Sequence, residues 1–374
     1  MNKRILIIGQ LPPPFHGSNV MAKLTVSSLK NEMYQVKFID KSFSKNIETI
    51  GKPSLRKIVR IPGLAIEIII ACLFKPPKLC LYFIACGKPA FLIDTFLLFI
   101  VRICGIPYIL RFGGKGFYAL QKENFFWHRL VSYSLSNALG GIILGQSIKR
   151  DVNLFISNER LVYVPNGTEN RLFYRKKEKD KKIQILFLSN LHPSKGPLDV
   201  IKAASIVIKQ NTKVSFILAG ADFSSNYTKL LKSYIKKKGL DEYVTMQGAV
   251  HGKEKDNLFS KSDIFVFPTY YERETFGIVN IEAMSWGLPV ISSTEGAIPE
   301  IIQDGINGFI VNPKSPVQIA EKILFLINNS ELRKKMGIES RKIFESKYSI
   351  KAYEKNLDRA IKFFLKKINV DPGT

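Results

Sequence analysis

Two glutamates separated by seven residues form the most informative chemical feature of this sequence. Glu274 and Glu282 lie in the segment FVFPTYYERETFGIVNIEAMSWGLPVISS, where an apolar strand leads through a polar loop into a helix predicted near 276–286. If that helix extends back to Glu274, the two positions are about 12 Å apart along its axis. This separation suits two ends of one sugar nucleotide better than a single acid–base pair. The alternative is that Glu274 only offsets the helix dipole and Glu282 is a partly buried helix acid.

Backbone amides between the two glutamates could bind an anion. The N–H groups of Thr275, Phe276 and Gly277 stand at the start of the predicted helix, where they lack acceptors within the helix. Helix N-termini of this kind bind phosphate groups. We therefore expect a diphosphate to bind there.

A lysine beside a second helix start offers positive charge for the same kind of ligand. In FLSNLHPSKGP (187–197) a strand ends, a Pro-Ser turn follows, and Lys195 and Gly196 open the next helix. A lysine beside a helix N-terminus can clamp phosphate. The segment is not a P-loop, because the GxxxxGKS/T spacing is absent. His192 in this turn is interpreted as a surface residue, with a catalytic base as the alternative.

The first turn of the chain is a further candidate. GQLPPPFHGSNVMA (9–22) stiffens the exit of the first strand with three prolines and places Gly17 and Ser18 just before a helix. The unpaired amides of that helix could face an anion. A rigid turn accounts for the same pattern equally well.

Alternating strands and helices must position these turns. Apolar runs predict strands near 4–8, 35–39, 79–85, 107–110, 140–144 and 161–164, then near 183–188, 214–219, 243–246, 263–267, 289–291 and 309–311. Helix-length segments separate them, which is typical of right-handed crossovers in doubly wound parallel sheets. Helices alone follow, near 316–328, 331–346 and 350–368. The sequence thus predicts an α/β protein that binds ligands at the carboxyl ends of its strands.

With 374 residues, the chain is long enough for two domains. We place the first domain at 1–170 and a linker at 171–182, where the charge run RKKEKDKK contains no apolar residue. A second domain follows at 183–349. The last helix, within 350–374, carries an apolar stripe for packing against a domain surface.

The composition is globular, with a large positive charge. Lys and Arg exceed Asp and Glu by 56 − 31, a formal charge of +25 that attracts polyanions, anionic lipid surfaces or phosphorylated substrates. A nucleic-acid binder should also show interleaved aromatic and basic residues or a known binding module, and neither is evident. Basic residues beside an apolar helical run at 58–74 instead predict docking on anionic lipid headgroups, with a solvated basic face as the alternative. These residues are Lys52, Arg56, Lys57 and Arg60.

We expect a cytoplasmic protein without a membrane span. The apolar stretch 90–106 is interrupted by Asp94 and Arg102 and is therefore predicted to be a buried helix. The apolar run at 5–8 is too short for a secretory signal. The four cysteines lack the spacing of a metal site or redox pair, which is typical of free thiols in a reducing compartment.

Together, the motifs resemble those of family-4 glycosyltransferases with the GT-B fold, over nearly the whole chain. They are PPPFHGS, VPNG at 164–167, SNLHPSKG, LAG at 218–220, ETFGIVNIEAM with its E-x7-E spacing, and GAIPEIIQDGINGFIV, in the family's order. The resemblance implies two Rossmann-like domains facing each other across a cleft, the first binding the acceptor and the second the nucleotide sugar. It also implies C-terminal helices that cross back, with 350–374 packing on the first domain.

The resemblance further implies roles for individual residues. Glu274 would face hydroxyls of the transferred sugar, Glu282 would hold the ribose, and Lys195 would bind the diphosphate. The groups assisting Lys195 would be the backbone amides of Thr275, Phe276, Gly277 and Ile278, with Gly17 across the cleft. Gly220 and residues 248–250 would lie near the nucleobase. We therefore predict Glu274 and Lys195 as catalytic residues.

The sequence departs from the family's pattern at three points. GS stands at 17–18 where the family often has two glycines, and SNL stands at 189–191 where it often has Gly-Arg-Leu. The second departure removes a guanidinium from the diphosphate site, and the candidate substitutes are Asn190, Arg111 and Lys115. The segment LRFGGKGF lacks the histidine that many members carry after the fourth strand, so we assign no catalytic histidine.

The reaction implied by the resemblance is retaining transfer of a hexose or N-acetylhexosamine from a nucleotide diphosphate sugar, predicted to be UDP-linked. The acceptor is predicted to be a saccharide or a polyprenyl-linked saccharide on the cytoplasmic face of a bacterial membrane, in synthesis of a surface polysaccharide such as lipopolysaccharide or capsule. No cofactor or metal is expected, because no D-x-D pair is present to hold a divalent ion. The alternatives are a nucleotide-sugar epimerase or hydrolase on the same architecture, or a basic nucleic-acid-binding protein.

Overall fold

The structure, a computed structural model, describes residues 4–13, 17–42, 55–171 and 182–370. The predicted linker at 171–182 therefore lies outside the described residues except at its two ends. Lys52 also lies outside them, as do the side chains of Arg56 and Lys57.

The chain forms two compact units. One comprises Met1–Asn166 together with Lys351–Thr374, and the other comprises Gly167–Ile350. The chain therefore passes from one unit to the other twice. Near these two points Thr168 and Ser349 pair as a parallel bridge.

A six-stranded parallel sheet forms the first unit. Its strands are β1 (Arg4–Gly9), β2 (Gln35–Asp40), β3 (Leu79–Ile84), β4 (Tyr108–Phe112), β5 (Gly140–Ile143) and β6 (Leu161–Tyr163), in the spatial order β2-β1-β3-β4-β5-β6. Its helices up to β6 are α1 (Gly17–Asn31), α2 (Leu55–Leu73), α3 (Lys88–Ile103), α4 (Phe117–Glu123) and α5 (Phe125–Ser136). The central strand β3, LCLYFI, is buried along its whole length, as expected for a parallel sheet covered on both faces.

A second six-stranded parallel sheet forms the other unit. Its strands are β7 (Ile183–Leu188), β8 (Val214–Ala219), β9 (Val244–Gly248), β10 (Ile264–Phe267), β11 (Val290–Ser292) and β12 (Gly308–Ile310). The helices that follow β7 to β11 in turn are α6 (Pro197–Val207), α7 (Ser225–Lys237), α8 (Gly252–Lys261), α9 (Ile278–Ser285) and α10 (Ile298–Ile301). After β12 come α11 (Pro316–Asn328) and α12 (Ser330–Lys347). The predicted class, two doubly wound parallel sheets, is confirmed.

The last helix, α13 (Ile350–Val370), packs on the sheet of the first unit. Its buried stripe is formed by Tyr353, Leu357, Ile361 and Phe364. The hydroxyl oxygens of Tyr353 and Thr25 are 2.7 Å apart. Gly140 leaves room for the Phe364 ring, because a Cβ at this position would lie 2.5 Å from a ring carbon.

The start of α9 differs from the prediction. The helix begins at Ile278 and not at 276, because Gly277 adopts a left-handed backbone conformation with a φ of 66° that does not continue a right-handed helix. Glu274 thus lies in the loop before α9. The expectation that both glutamates share one helix axis is therefore wrong.

The burial of α3 also differs from the prediction. Asp94 is buried as expected, where it accepts a hydrogen bond from the Tyr82 hydroxyl at 2.7 Å and pairs with the buried Lys41. The outer side of the helix, however, leaves large apolar side chains exposed. In the part of the chain that the structure describes, no helix is long and apolar enough to cross a bilayer.

Candidate active site

Two candidate residues of the second unit, Lys195 and Glu274, meet at the point where the strand order of its sheet reverses. The spatial order is β12-β11-β10-β7-β8-β9, so the chain builds outward from β7 on one side and then returns to place β10 on the other. The loops after β7 and β10 therefore diverge and leave a crevice at the carboxyl edge of the sheet. Lys195 lies in the first loop and Glu274 in the second. The topology thus brings together two residues that are 79 positions apart.

A tight turn sets the position of Lys195. After β7 the chain forms a short 3₁₀ turn, Pro193–Lys195, and Gly196 then takes a left-handed conformation with a φ of 83° before α6 begins. A Cβ on Gly196 would lie 2.7 Å from the carbonyl oxygen of Pro268, so only glycine fits between the two loops. Lys195 is thereby fixed beside the N-terminus of α6.

Backbone hydrogen bonds join the loops at this edge of the sheet. The amide of Tyr270, after β10, donates to the carbonyl of Ser194 at 2.7 Å. The amide of Ala297, after β11, donates to the carbonyl of Thr275 at 2.8 Å. Main-chain contacts therefore position three loops around the crevice.

Glu274 contacts both a cation and a backbone amide. One carboxylate oxygen lies 2.5 Å from Lys195 Nζ, and the other accepts the N–H of Gly277 at 3.0 Å. The side chains of Lys195 and Glu274 are 17% and 12% exposed, so water reaches the ion pair but screens it weakly. Lys195 Nζ also stands 4.5 Å from the centroid of the Tyr271 ring. An incoming anion can therefore reach the lysine and compete with the carboxylate.

The four predicted amide donors are in different surroundings. Thr275 and Phe276 are buried, and the Phe276 ring packs edge-on against Tyr348 with ring centroids 5.9 Å apart. The amide of Gly277 is already bound by Glu274. Ile278 is the first residue of α9, where helix geometry provides no acceptor within the helix. The amide of Gly277 is therefore available to a ligand only when Glu274 moves, and the amide of Ile278 has no acceptor within the helix.

Glu282 is held by a lysine that the sequence analysis missed. Lys255 Nζ, in α8, lies 2.6 Å from the Oε1 atom of Glu282, in α9. The other carboxylate oxygen, Oε2, is buried and has no hydrogen-bond partner. An unpaired buried carboxylate oxygen is unfavourable. Because this oxygen is closed to solvent, a ligand hydroxyl reaches it only when a neighbouring group moves aside.

His192 caps the turn that carries Lys195. Its Nδ1 atom accepts hydrogen bonds from the Ser194 amide at 3.2 Å and from the Ser194 hydroxyl at 2.7 Å. Burial of the ring, and secondarily the charge of Lys195, lower the pKa of the imidazole. Both effects favour the neutral ring that these hydrogen bonds require. His192 therefore has a structural role in this turn.

An aromatic cluster of His192, Phe223 and Tyr271 lies beside Lys195 and was not predicted from the sequence. The rings of Phe223 and Tyr271 stand edge-on to His192, with centroids 4.2 Å and 5.4 Å from that of the imidazole. Phe223 is 55% exposed and lies in the loop after β8. Because that loop also follows a strand, the rule that identified Lys195 could have identified Phe223.

The remaining predicted residues are spread over both units. Asn190 is exposed in the loop after β7. Gly220 directly follows β8 with a φ of 153°. A Cβ on this residue would lie 1.8 Å from the carbonyl oxygen of Ser189, in the loop after β7. Residues 248–250 stand at the end of β9. Gly17 is the first residue of α1 and belongs to the first unit.

Arg111, a candidate for the missing phosphate arginine, is buried in the first unit, where its Nη1 atom has no hydrogen-bond partner. Its replacement of that arginine stays a prediction. One guanidinium nitrogen donates to the Asn166 side-chain oxygen at 2.9 Å. The guanidinium carbon stands 5.6 Å and 5.5 Å from the ring centroids of Phe83 and Tyr353. Arg111, on β4, thus contacts both Asn166, where the first segment of this unit ends, and α13. Lys115 belongs to the same unit and is half-buried.

Side chains that bind metals are scattered in the described ranges. No three His, Cys, Asp or Glu residues are grouped there in a way that could hold a metal ion. The four cysteines are free thiols. A metal-independent reaction stays a prediction.

Comparisons with known proteins relate this arrangement to a family. Residues 169–343 match the family model described as glycosyl transferases group 1. The chain is 30% identical over 269 residues to an uncharacterised glycosyltransferase of Methanocaldococcus jannaschii, covering 66% of this chain and 67% of that protein. It is 33% identical over 183 residues to spore coat protein SA of Bacillus subtilis, covering 47% and 48% of the two chains.

The fold also matches solved structures. The crystal structure of Anabaena HepE in complex with UDP-glucose aligns with a TM-score of 0.73 at 17% identity, covering 96% of this chain and 99% of that one. The predicted GT-B fold is confirmed. The chain spans about half the length of spore coat protein SA and about two thirds of the length of the Methanocaldococcus jannaschii protein.

Proposed function

Because the chain belongs to the group 1 glycosyltransferases, we propose that it transfers a hexose or N-acetylhexosamine from a UDP-sugar, with retention at the anomeric carbon. The acceptor is a hydroxyl group of a saccharide or of a polyprenyl-linked saccharide. The observation that carries the proposal is the contact between Lys195 and Glu274, at the point where the strand order of the second sheet reverses. A cation for phosphate, a carboxylate for sugar hydroxyls and a helix N-terminus meet there, at the edge where open α/β sheets bind ligands.

The diphosphate of the donor exchanges partners with Glu274. Its oxygens replace the carboxylate as the counter-ion of Lys195 and accept the N–H groups of Gly277 and Ile278 at the start of α9. Glu274 is then released to accept hydrogen bonds from the sugar hydroxyls. The same carboxylate thus compensates the lysine charge before binding and orients the sugar afterwards.

Glu282 holds the nucleoside end of the donor. Its Oε2 atom accepts a ribose hydroxyl once a neighbouring group moves aside to open it to the ligand, while Lys255 keeps Oε1 in place. This contact satisfies an oxygen that otherwise has no partner. The choice of UDP is supported by the likeness to HepE, whose described complex contains UDP-glucose.

The acceptor oxygen bonds to the anomeric carbon on the face from which the diphosphate leaves. The bond between that carbon and the β-phosphate oxygen breaks, the electron pair stays on this oxygen, and the acceptor proton passes to a β-phosphate oxygen. Lys195 and the amides at the start of α9 stabilise the charge that develops on the leaving group. The absence of a D-x-D pair from the sequence supports chemistry without a metal ion.

We place the reaction on the cytoplasmic face of a bacterial membrane, in synthesis of a surface polysaccharide such as lipopolysaccharide or capsule. A formal charge of +25 favours attachment to an anionic lipid surface. A polyprenyl-linked acceptor is confined to such a surface by its own chain. Peripheral attachment of the enzyme therefore raises the local concentration of the two partners.

Incubation of the protein with UDP-, GDP- and dTDP-sugars and a lipid extract, followed by mass spectrometry, tests the proposal. We expect a product heavier by one sugar residue, with the anomeric configuration of the donor in its NMR spectrum. Lys195→Ala abolishes this product, whereas Lys334→Ala, which removes a surface ion pair with Glu331, does not.

Two other results would reject the transferase. Conversion of the nucleotide sugar without an acceptor would indicate an epimerase or a hydrolase. Tight, strongly salt-dependent binding to oligonucleotides without affinity for UDP would indicate a nucleic-acid-binding protein.

A further inference from the structure

The outward side of α2 is apolar. Its stripe at helical spacing, 50–75% exposed, consists of Val59, Ile66, Ile70 and Leu73. On the opposite side, the residues buried in the core of the first unit include Leu64, Ile68 and Cys72. A surface helix of a globular protein normally presents polar residues outward. α2 therefore has two apolar sides, of which one covers the sheet.

The neighbouring helix α3, which packs beside α2, repeats this arrangement. Its exposed stripe consists of Leu92, Phe96, Phe99 and Ile103. On its other side, Phe91 and Leu98 are fully buried. We name the eight exposed residues of the two helices the α2–α3 face. Exposed apolar patches of this kind mark interaction surfaces.

The part of the first unit that carries the α2–α3 face also exposes many basic side chains. On α2 to α5 and the loops between them, the exposed lysines and arginines are Arg60, Lys75, Lys78, Lys88, Arg102, Lys122 and Arg129. The acidic side chains at 59–136 are the buried Asp94 and two glutamates, Glu67 and Glu123, each of which pairs with a lysine. This part of the first unit therefore has an excess of positive charge.

We propose that the α2–α3 face docks on an anionic lipid bilayer. Its apolar side chains enter the boundary between headgroups and acyl chains, and the accompanying lysines and arginines contact lipid phosphates. The charge favours lipid over a second copy of this chain, because a copy would bring the same positive charges into the contact.

The fold relates this face to the ligand-binding edge of the first sheet. In a parallel α/β sheet, the helix after a strand begins near the carboxyl end of that strand. α3 follows β3 and so begins, at Lys88, on the edge where open α/β sheets bind ligands. A bilayer against the α2–α3 face lies alongside that edge. The idea that a lipid-linked acceptor reaches it there rests on the proposed function, whereas the docking face rests on residues outside the donor site.

Flotation of the full chain with lipid vesicles tests the inference. We expect binding to vesicles of phosphatidylcholine and phosphatidylglycerol to exceed binding to phosphatidylcholine alone by at least about tenfold. A variant of the α2–α3 face should lose at least about tenfold in binding to the anionic vesicles. Its four substitutions, all at exposed side chains, are Ile66→Ser, Ile70→Ser, Phe96→Ser and Phe99→Ser. Circular dichroism checks that this variant remains folded.

A matched control removes exposed apolar side chains from the other unit. Leu230→Ser combined with Ile338→Ser should leave vesicle binding unchanged, because these residues are exposed on α7 and α12. Equal flotation of the wild type and of the variant with four substitutions (the fourfold variant) overturns the inference. It is also overturned if the wild type is a dimer that the fourfold variant dissociates while neither protein binds vesicles.

Calorimetric binding of UDP to the same proteins separates this inference from the proposed function. Loss of vesicle binding by the fourfold variant with unchanged UDP binding supports the docking face. If the wild type floats with anionic vesicles but does not bind UDP, the docking face is supported and the proposed function fails.

Discussion

The ammonium of Lys195 lies 2.5 Å from a carboxylate oxygen of Glu274. The contact joins the loops that follow β7 and β10, two strands that pair in parallel. Each side chain is therefore the counter-ion of the other in the absence of ligand, and a bound diphosphate must compete with the carboxylate. Substitution of either residue should affect binding and turnover differently.

Replacement of Lys195 by alanine should lower kcat by at least about a hundredfold, because the leaving diphosphate loses its nearest cation. The fold should be retained, since the side chain is still partly exposed. Steady-state kinetics and thermal melting measure the two effects. Lys195→Arg preserves the charge and should keep more activity than Lys195→Ala. Wild-type turnover in the alanine variant would remove this residue from the active site.

Glu274→Gln should separate nucleotide binding from turnover. The amide side chain keeps a carbonyl oxygen for the N–H of Gly277 but no longer competes as an anion for Lys195. UDP should therefore bind at least as tightly as to the wild type, whereas kcat should fall at least about tenfold because the sugar loses a charged acceptor. Calorimetry with UDP and kinetics with the UDP-sugar test this. Weaker UDP binding with unchanged turnover would contradict the exchange of partners.

Lys255→Met should weaken UDP binding about three- to tenfold, because Glu282 loses the contact that fixes its carboxylate. The loss should be confined to nucleotides that carry ribose hydroxyls, so a dideoxy analogue of UDP should bind both proteins alike. Calorimetry with the two nucleotides measures this. Lys253→Met, at an exposed position on the same helix, is the control. An equal loss for both nucleotides would mean that Lys255 does not act through Glu282.

The imidazole of His192 should titrate below the ordinary value of 6.5, because burial disfavours the charged ring and Lys195 repels it. Since the folded-state pKa is lowered, the residue contributes stability above the unfolded-state pKa, and this contribution is lost as the pH falls through the folded-state pKa. Lys195→Ala should raise the pKa only part of the way, because burial remains. An NMR titration of the imidazole protons measures both values. A pKa unchanged by the substitution would contradict the influence of the lysine.

Gly220→Ala should destabilise the second unit by about 3 kcal/mol or more, because its Cβ would lie 1.8 Å from the Ser189 carbonyl oxygen. Gly239→Ala is the matched control. It also has a positive φ, 61°, but open space around the added carbon, so a loss of only about 1 kcal/mol is expected. Urea unfolding gives both free energies. Similar losses in the two variants would show that the close backbone approach does not require glycine.

Strands could be predicted from the sequence because buried parallel strands are short apolar runs between turn residues. The predicted strand at 183–188, for instance, coincides with β7. The start of α9 could not be placed in this way, since the left-handed conformation of Gly277 leaves no mark in the apolar pattern. The apolar stretch 90–106 likewise predicted a buried helix, whereas one side of α3 leaves large apolar side chains exposed.

In the candidate site, too, some residues could be predicted from the sequence and others could not. Lys195 and Glu274 follow strands, and the rule that ligands bind at the ends of strands points to both. Lys255 lies within a helix, 27 residues before Glu282, and belongs to no motif. Only the packing of α8 and α9 in three dimensions reveals that pair. The same holds for Arg111, whose burial between Phe83 and Tyr353 depends on a helix from the far end of the chain.

That distant helix, α13, has a consequence for synthesis on the ribosome. Its residues Tyr353 and Phe364 are buried in the first unit, against Thr25 and beside Gly140. The second unit, Gly167–Ile350, has been translated completely before α13 emerges. The part of the protein that is translated first must therefore wait longest to complete its core. A premature stop codon after Ile350 would spare the candidate active site and still leave the first unit with an open hydrophobic gap.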